Sequence, residues 1–506
     1  MKKVNKGSAL IYFSASIFAM IISYFLTYRY FPIEPDAANS SLVWRGFLTE
    51  GFSVFRDWAP TPDNWYFTIY PFNFIFFSLY SDDGKIPLIL STSAFIALTS
   101  VIITIILNNT KKTYFSLISL ACLILFPAYS YTFGFLAHPF SHNSTNFFGV
   151  VVFGLCFWNI EKKSIIITIL YSFLAVLAAA SDPWFLASYF LPVLLSTVYF
   201  SWKKYIDKKS MMVFGIAYVL AITHVIQRIF GLPIQRLKVV GFEQWIINAE
   251  WVVNVLGKSM NIFFIDLPIA YIASFIVWSI TILYSLSICL KAGIKAQYIG
   301  VFSALSIAGI ISSFIISYED PAYISARFFM NAVCFGIAIS VLTFSFKRKY
   351  LIAIVLAMFI GSSIYSYQQH TRPLYDQEEQ TLNYIKFLED NNLTFGYSDY
   401  WKMSNSVNWF SNGSIHITPV LFDNVTYRIR FNFTRLQTMR SWLTDEYIEK
   451  SPKRQFVAIP AVKSIDENSE PNLRLNAIKN QVGIPDQVLT FQNMTIYVYN
   501  HKIAIH

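Results

Sequence analysis

Apolar runs of about 20 residues, separated by short polar breaks, recur along the first 366 positions of the chain. A helix of that length crosses the hydrocarbon core of a bilayer. Eleven spans are predicted, over 8–30, 86–107, 113–137, 147–160, 164–180, 185–201, 211–230, 262–290, 297–317, 328–345 and 351–366. The first run follows "MKKVNK" as a signal peptide would. It exceeds the apolar stretch of such a peptide and ends in "YFLTYRYF", without a small-residue cleavage site, so it is expected to stay as a helix. Two longer polar-aromatic segments interrupt the spans, at 31–85 and 231–261. In the first, "SLVWRGFLTEGFSVF" sets Leu42, Trp44, Phe47, Leu48, Phe52 and Phe55 mostly on one helical side, as in a helix lying in the interface. "DNWYFTIYPFNFIFFSLY" is a second aromatic stretch, expected to break at Pro71. Trp245 and Trp251 in the later segment suit interface anchors.

From residue 367 the pattern changes. Helix-like runs ("EEQTLNYIKFLED", "TMRSWLTDEYIEK", "NLRLNAIKNQV") alternate with strand-like runs ("LTFGYS", "SIHITPVLF", "FVAIP", "VLTFQNMTIYVYN"). The expected architecture is a polytopic α-helical membrane domain, 1–366, followed by a small α/β domain, 367–506. The tail carries no Gly-rich phosphate loop, HExxH, GxSxG or Cys/His metal spacing.

Composition agrees: 55% of residues are hydrophobic and 13% charged, against about 25% charged in soluble domains. The net charge of +10 resides wholly in the membrane part, where 25 Lys and Arg face 15 Asp and Glu; the tail has 14 of each. Sixteen of these cations, in the N-terminus, "NNTKK", "EKK", "SWKKYIDKKS", "KAGIK" and "FKRKY", fall on one side when the N-terminus is cytoplasmic. The excess therefore sets topology, and a nucleic-acid partner is not expected. An odd number of spans places the tail outside. The Ile, Lys, Asn, Phe and Tyr bias favours a bacterial inner membrane. The Asn-x-Ser/Thr sites at Asn392, Asn412, Asn424, Asn432 and Asn493 would also suit a eukaryotic lumen. Cys122, Cys156, Cys289 and Cys334 all lie in apolar spans and imply neither disulfides nor a metal site.

The acids gather on the other side. Glu34, Asp36, Glu50, Asp57, Asp63, Asp82, Asp83, Asp182, Glu243, Glu250, Asp266, Glu319 and Asp320 lie outside or at outer span ends, and only Glu161 and Asp207 inside. That points to chemistry or cation handling on the outer face. Glu34 and Asp36, in "FPIEPDAANS", come first after the membrane exit. Either can act as a base on a sugar hydroxyl, and Asp36 can equally be an N-cap. Asp57 and Asp63, in "FRDWAPTPDNW", fit a second acid, a metal ligand or plain turn chemistry. Asp182-Pro183 and Asp320-Pro321 have the Asp–Pro order of a helix start. Arg327 sits where a cation could hold a phosphate, with Arg236 and Lys238 as a second clamp. His138 and His142 are four apart, but Pro139 between them favours a loop over a metal-binding helix.

The first span, the long outer loop with an early acid and interfacial helices, about ten further spans and an outer α/β tail together resemble the GT-C superfamily of glycosyltransferases. The tail stretch "FGYSDYWKMSNSVNWFSNGSIHITPV" (395–420) is similar to tails of its bacterial members. In length and architecture the chain looks closest to phage-borne serotype-converting glucosyltransferases. The resemblance implies transfer of glucose, with inversion, from undecaprenyl-phosphate-glucose to a lipid-linked O-antigen unit on the periplasmic side. Asp36 or Glu34 would be the base, though Pro35 separates two acids that are adjacent in some relatives. Arg327, Arg236 or Lys238 would hold the donor phosphate, and Tyr397, Tyr400, Trp401 and Trp409 would stack on acceptor sugars. A divalent cation is left open as a cofactor. An O-antigen polymerase or ligase would be expected to carry its main outer loop late and lined with Arg and His. A transporter would be expected to carry mid-span charge, for which His224 is the nearest case.

Overall fold

The computed structural model describes residues 6–111, 113–137, 141–235, 238–347, 349–374, 376–461 and 470–505. Arg236 and His138 lie outside the described residues. The chain forms two compact units. One comprises Met1–Phe31, Pro62–Phe76 and Leu88–Leu374; the other comprises Pro32–Thr61, Phe77–Pro87 and Tyr375–His506. Most of the segment 31–85, expected to go with the membrane part, thus builds a unit with the tail.

In the first unit every predicted apolar span is helical, but the spans are unequal. Among the described residues six helices are long and apolar enough to cross a membrane, and seven if one bent pair counts as a single span. That pair, Ser116–Ile124 and Ala128–Phe135, turns through 71° at Pro127, where proline removes a helix hydrogen bond. The predicted span 211–230 is also interrupted. It consists of Lys208–Ile222 and Val225–Phe230, joined through His224 in the left-handed region at φ 54°. Ile165–Ser181 and Leu186–Trp202 are shorter apolar helices. Pro71 does not break its segment; it lies in the first turn of the helix Tyr70–Tyr80, where its missing N–H costs nothing.

The stretch expected to be an outer loop at 231–261 contains a helix, Phe242–Ser259, packed against Pro268–Cys289 and Ile294–Ser317. Gly257 permits this closeness. A Cβ there would stand 2.1 Å from the Tyr271 carbonyl oxygen.

In the second unit five strands form one sheet in the order β2-β1-β3-β5-β4. They are β1 (Phe395–Ser398), β2 (His416–Pro419), β3 (Gln455–Pro460), β4 (Gln487–Phe491) and β5 (Met494–Tyr499). β2, β1 and β3 run parallel, and β3, β5 and β4 antiparallel. Alternation along β3 sends Phe456 and Ala458 to one core, with Tyr384, Leu388 and Val407. Val457 and Ile459 go to the other, with Phe395, Tyr397 and Ile478. The α/β tail is as expected. Two features were not foreseen: the short helix Ser404–Phe410 in the β1–β2 crossover, and the turn that splits the strand-like run 488–500 into β4 and β5.

His416 starts β2 within a shell of Phe395, Trp442 and Tyr447 rings. One edge of the residue stays accessible, but the enclosing rings keep water from most of the imidazole. Burial pushes its pKa down to about 3. The unfolded chain therefore takes up a proton near the ordinary histidine value of about 6.5 while the folded one does not. Stability of this unit should fall by about 1.4 kcal/mol per pH unit as pH drops from about 6.5 toward 3. Denaturation of the full-length protein followed by tail-reporting Trp fluorescence checks this. The slope should flatten in His416→Gln.

Candidate functional site

The candidate site in the second unit is built on the five residues after Ile33. Glu34 is extended (φ −148°, ψ 168°), and Pro35 opens a 3-10 turn, Pro35–Ala38, that runs directly into the helix Asn39–Glu50. The Ala37 N–H closes the turn on the Glu34 carbonyl at 3.1 Å. Ala37 and Ala38 are fully buried, and their small side chains let the helix Ser404–Phe410 lie against the turn. Two bonds fix the approach: Ile33 N–H to Asp376 Oδ1 at 2.7 Å, and Gln377 N–H to the Ile33 carbonyl at 2.8 Å.

Both candidate acids are buried, Glu34 at 4% exposure and Asp36 at 3%. Asp36 is not an N-cap. The Tyr400 hydroxyl, from the loop after β1, donates a short hydrogen bond to Asp36 Oδ1. The same hydroxyl lies 3.4 Å from Asn39 Oδ1. The Arg435 guanidinium covers the Tyr400 ring at 3.4 Å from its centroid and donates to Gln437 Oε1 at 2.8 Å. Asn405 Nδ2 bridges Asn39 Oδ1 (3.1 Å) and the Gln437 carbonyl (3.0 Å). An ionised carboxylate this deep costs several kcal/mol unless hydrogen-bonded and charge-balanced. Tyr400 and Arg435 supply both. Burial and the Asp36 charge push the Tyr400 phenol well above its ordinary value, so it remains a donor. Burial lowers Arg435 from its ordinary value, against the pull of Tyr400, Asp36 and Asp399.

The same unit disposes of other sequence candidates. Asp57 accepts the Ser441 N–H (2.8 Å) and hydroxyl (2.6 Å), beside a β-bridge from Trp58 to Met439. It is a staple between loop and tail. Asp57→Ala should lower the stability of the second unit by about 1.5–3 kcal/mol, the range for bonds to a charged acceptor. Asp36 and its partners should stay in place, so thermal melting should move while transfer at low temperature should not. Asp83 makes a second staple, with Arg45 at 2.6 Å and the Trp409 indole N–H on its carbonyl at 2.9 Å. Tyr397, fully buried in the sheet core, cannot stack on a sugar, and Trp409 at 2% exposure is equally enclosed. Tyr400 faces Asp36 instead. Trp401 is 43% exposed, and its ring meets that of Tyr400 edge-on at 5.1 Å.

The first unit holds a separate polar cluster. Asp182 is 3% exposed. Its Oδ1 accepts the Trp184 N–H at 3.0 Å, the bond of a helix-starting Asp. Its Oδ2 accepts the Thr145 hydroxyl at 2.8 Å and meets His142 Nδ1 at 2.7 Å. The Asp63 carboxylate acts on the same imidazole through its charge. His142 is in the helix Ser141–Lys162, not a loop. Asp320 is exposed and precedes the short turn Pro321–Tyr323 without a side-chain cap. Arg327, half-buried on the turn Ala326–Phe329, stacks on Phe328 at 4.6 Å. Lys238 pairs with Glu319 at 2.5 Å on the surface. Among the described residues no three His, Cys, Asp or Glu side chains converge on a metal-sized site.

Spacing offered no hint of the Asp36–Tyr400 pair, which is 364 residues apart in sequence. Arg435, Asn39 and Asn405 were missed for the same reason. For His142 and Thr145 a signal existed: the polar run "HNSTN" heading an apolar segment.

Several long apolar helices and a C-terminal sheet define a multi-pass membrane protein with an ArnT-like fold. The fold is similar to that of ArnT from Cupriavidus metallidurans, solved in the apo state. The two agree with a TM-score of 0.52 over 97% of this chain and 98% of that one, at 11% sequence identity. No family model matches the sequence, and no curated protein matches it.

Proposed function

We propose that the protein is a membrane glycosyltransferase that moves a sugar from a polyprenyl-phosphate donor to an acceptor hydroxyl on the outer side of the membrane. The observation that carries this reading is the buried Asp36 carboxylate, early in the first outer loop and gripped by Tyr400. The GT-C-type fold, matched along nearly the whole chain, supports it. Asp36 takes the proton of the acceptor hydroxyl as that oxygen attacks the anomeric carbon. The bond from anomeric carbon to phosphate oxygen breaks on the opposite face, so configuration inverts and polyprenyl phosphate leaves. A cation facing the phosphate stabilises the departing charge. Arg327 is the first choice and Arg236 remains a candidate; Lys238 ranks below them because its surface pair with Glu319 offsets its charge. Glu34 is the alternative base. The finer reading is undecaprenyl-phosphate-glucose as donor, an O-antigen unit as acceptor, and a bacterial inner membrane with the N-terminus cytoplasmic and the tail periplasmic. Sixteen Lys and Arg on one predicted side favour that orientation.

The test is transfer by membranes containing the protein, from radiolabelled undecaprenyl-phosphate-glucose to lipid-linked O-antigen, with the product anomer determined by NMR. Inverted glucosylation is expected. Transfer from another polyprenyl-phosphate sugar would retain the class and replace the sugar. No transfer from any such donor would overturn the reading.

A further inference from the structure

We propose that Tyr400 and Arg435 are positioning residues for the base, so that the tail completes the catalytic centre of the loop it packs on. The inference rests on the reading of Asp36 as base.

The tail's role is visible in the order of contacts. Arg435 is tied by Gln437 and by a short bond to the Leu436 carbonyl. Its flat guanidinium then lies on the Tyr400 ring. The ring is thereby fixed on one side, and its hydroxyl is aimed at Asp36 Oδ1. Asn405, from the adjacent helix, holds Asn39 beside the same hydroxyl. Tyr400 and Arg435 belong to neither core of the sheet, and the hydroxyl they hold is aimed at Asp36.

Two consequences follow. A hydrogen bond to a carboxylate favours the charged form, and so does a cation nearby. Both act against the burial of Asp36, which by itself favours the protonated acid. One oxygen is also held, which fixes the rotamer presented to the acceptor. Among the described residues, Tyr400 and Arg435 act on Asp36, Glu34 lies two residues before it on the same segment, and Asp399 acts on Arg435.

The experiment uses the full-length protein in nanodiscs and four variants: Asp36→Asn, Tyr400→Phe, Arg435→Lys and Arg435→Met. Tyr400→Phe keeps the ring and removes only the hydroxyl, and matched melting temperatures confirm folding. Expected for Tyr400→Phe is a fall in kcat of about tenfold or more, an unchanged donor KM, and an acid limb of the pH–rate profile moved up by about one unit. Arg435→Met should move the limb the same way, and Arg435→Lys, which keeps the charge, should restore most of it. If Asp36→Asn is inactive while the Tyr400→Phe and Arg435→Met profiles match wild type, the positioning role is wrong and the base assignment stands. If Asp36→Asn retains activity, the reading beneath it fails instead.

Discussion

Asp36→Asn should lose sugar transfer by a factor of about a thousand or more and still bind the donor. The amide keeps the shape and can still accept the Tyr400 hydroxyl, so the 3-10 turn Pro35–Ala38 and the helix after it should form normally. What is lost is the proton acceptor. General-base catalysis is worth about 10²–10⁴ in rate, and the lost negative charge near the oxocarbenium-like centre adds to that. Glu34→Gln is the informative companion. Glu34 is just as buried, but Asp36 is the acid aimed by a tail hydroxyl, so Glu34→Gln should retain measurable transfer. Asp182→Asn should also remain active. Its carboxylate is engaged by Trp184, Thr145 and His142 in the other unit. Initial rates at matched expression, with donor binding measured separately, decide among the three.

Gly257→Val should prevent accumulation of the folded protein. The smallest Cβ at that position would lie 2.1 Å from the Tyr271 carbonyl oxygen and 2.6 Å from its carbon. These are backbone atoms of the helix Pro268–Cys289, so no rotamer change relieves the clash. The two helices must separate, which strips packing along the contact they share. Gly257→Ala should already cost about 3 kcal/mol or more, at the upper end of overpacking penalties. Gly215 is the control. It lies within the helix Lys208–Ile222, and a Cβ added there would meet nothing within 4 Å. Gly215→Ala should therefore be neutral or stabilising by up to about 1 kcal/mol. Yield and thermal stability in detergent distinguish the pair.

The sequence exposes the fold more readily than the site, for a physical reason. Burial in lipid or in a sheet core is written along the chain with local periodicity. The apolar runs and the alternating strands of 393–398, 456–460 and 488–500 therefore announced their elements. Breaks were harder, because one residue decides them: Pro127 bends a span, whereas Pro71 starts a helix. The segment 231–261 read as a loop because its helix buries only one side, on neighbours distant in sequence. Asp36 and Glu34 stood out as candidates by their place after the first span. The residues packed on Asp36 did not. Tyr400 looked like a sugar platform because an aromatic residue carries no mark of whether its hydroxyl or its face is used. Tyr397, two strand positions from Phe395, shares that residue's buried face and looked no different. Arg435 lies in a loop without periodicity, where no local rule connects it to position 36.

The most direct test of the account is single-turnover transfer by purified full-length protein in nanodiscs. Wild type and Asp36→Asn would each be preloaded with radiolabelled undecaprenyl-phosphate-glucose and then mixed with lipid-linked O-antigen acceptor. The account expects both to retain donor on loading and only wild type to deliver the sugar, with inverted configuration. Delivery by Asp36→Asn at the wild-type rate would contradict it.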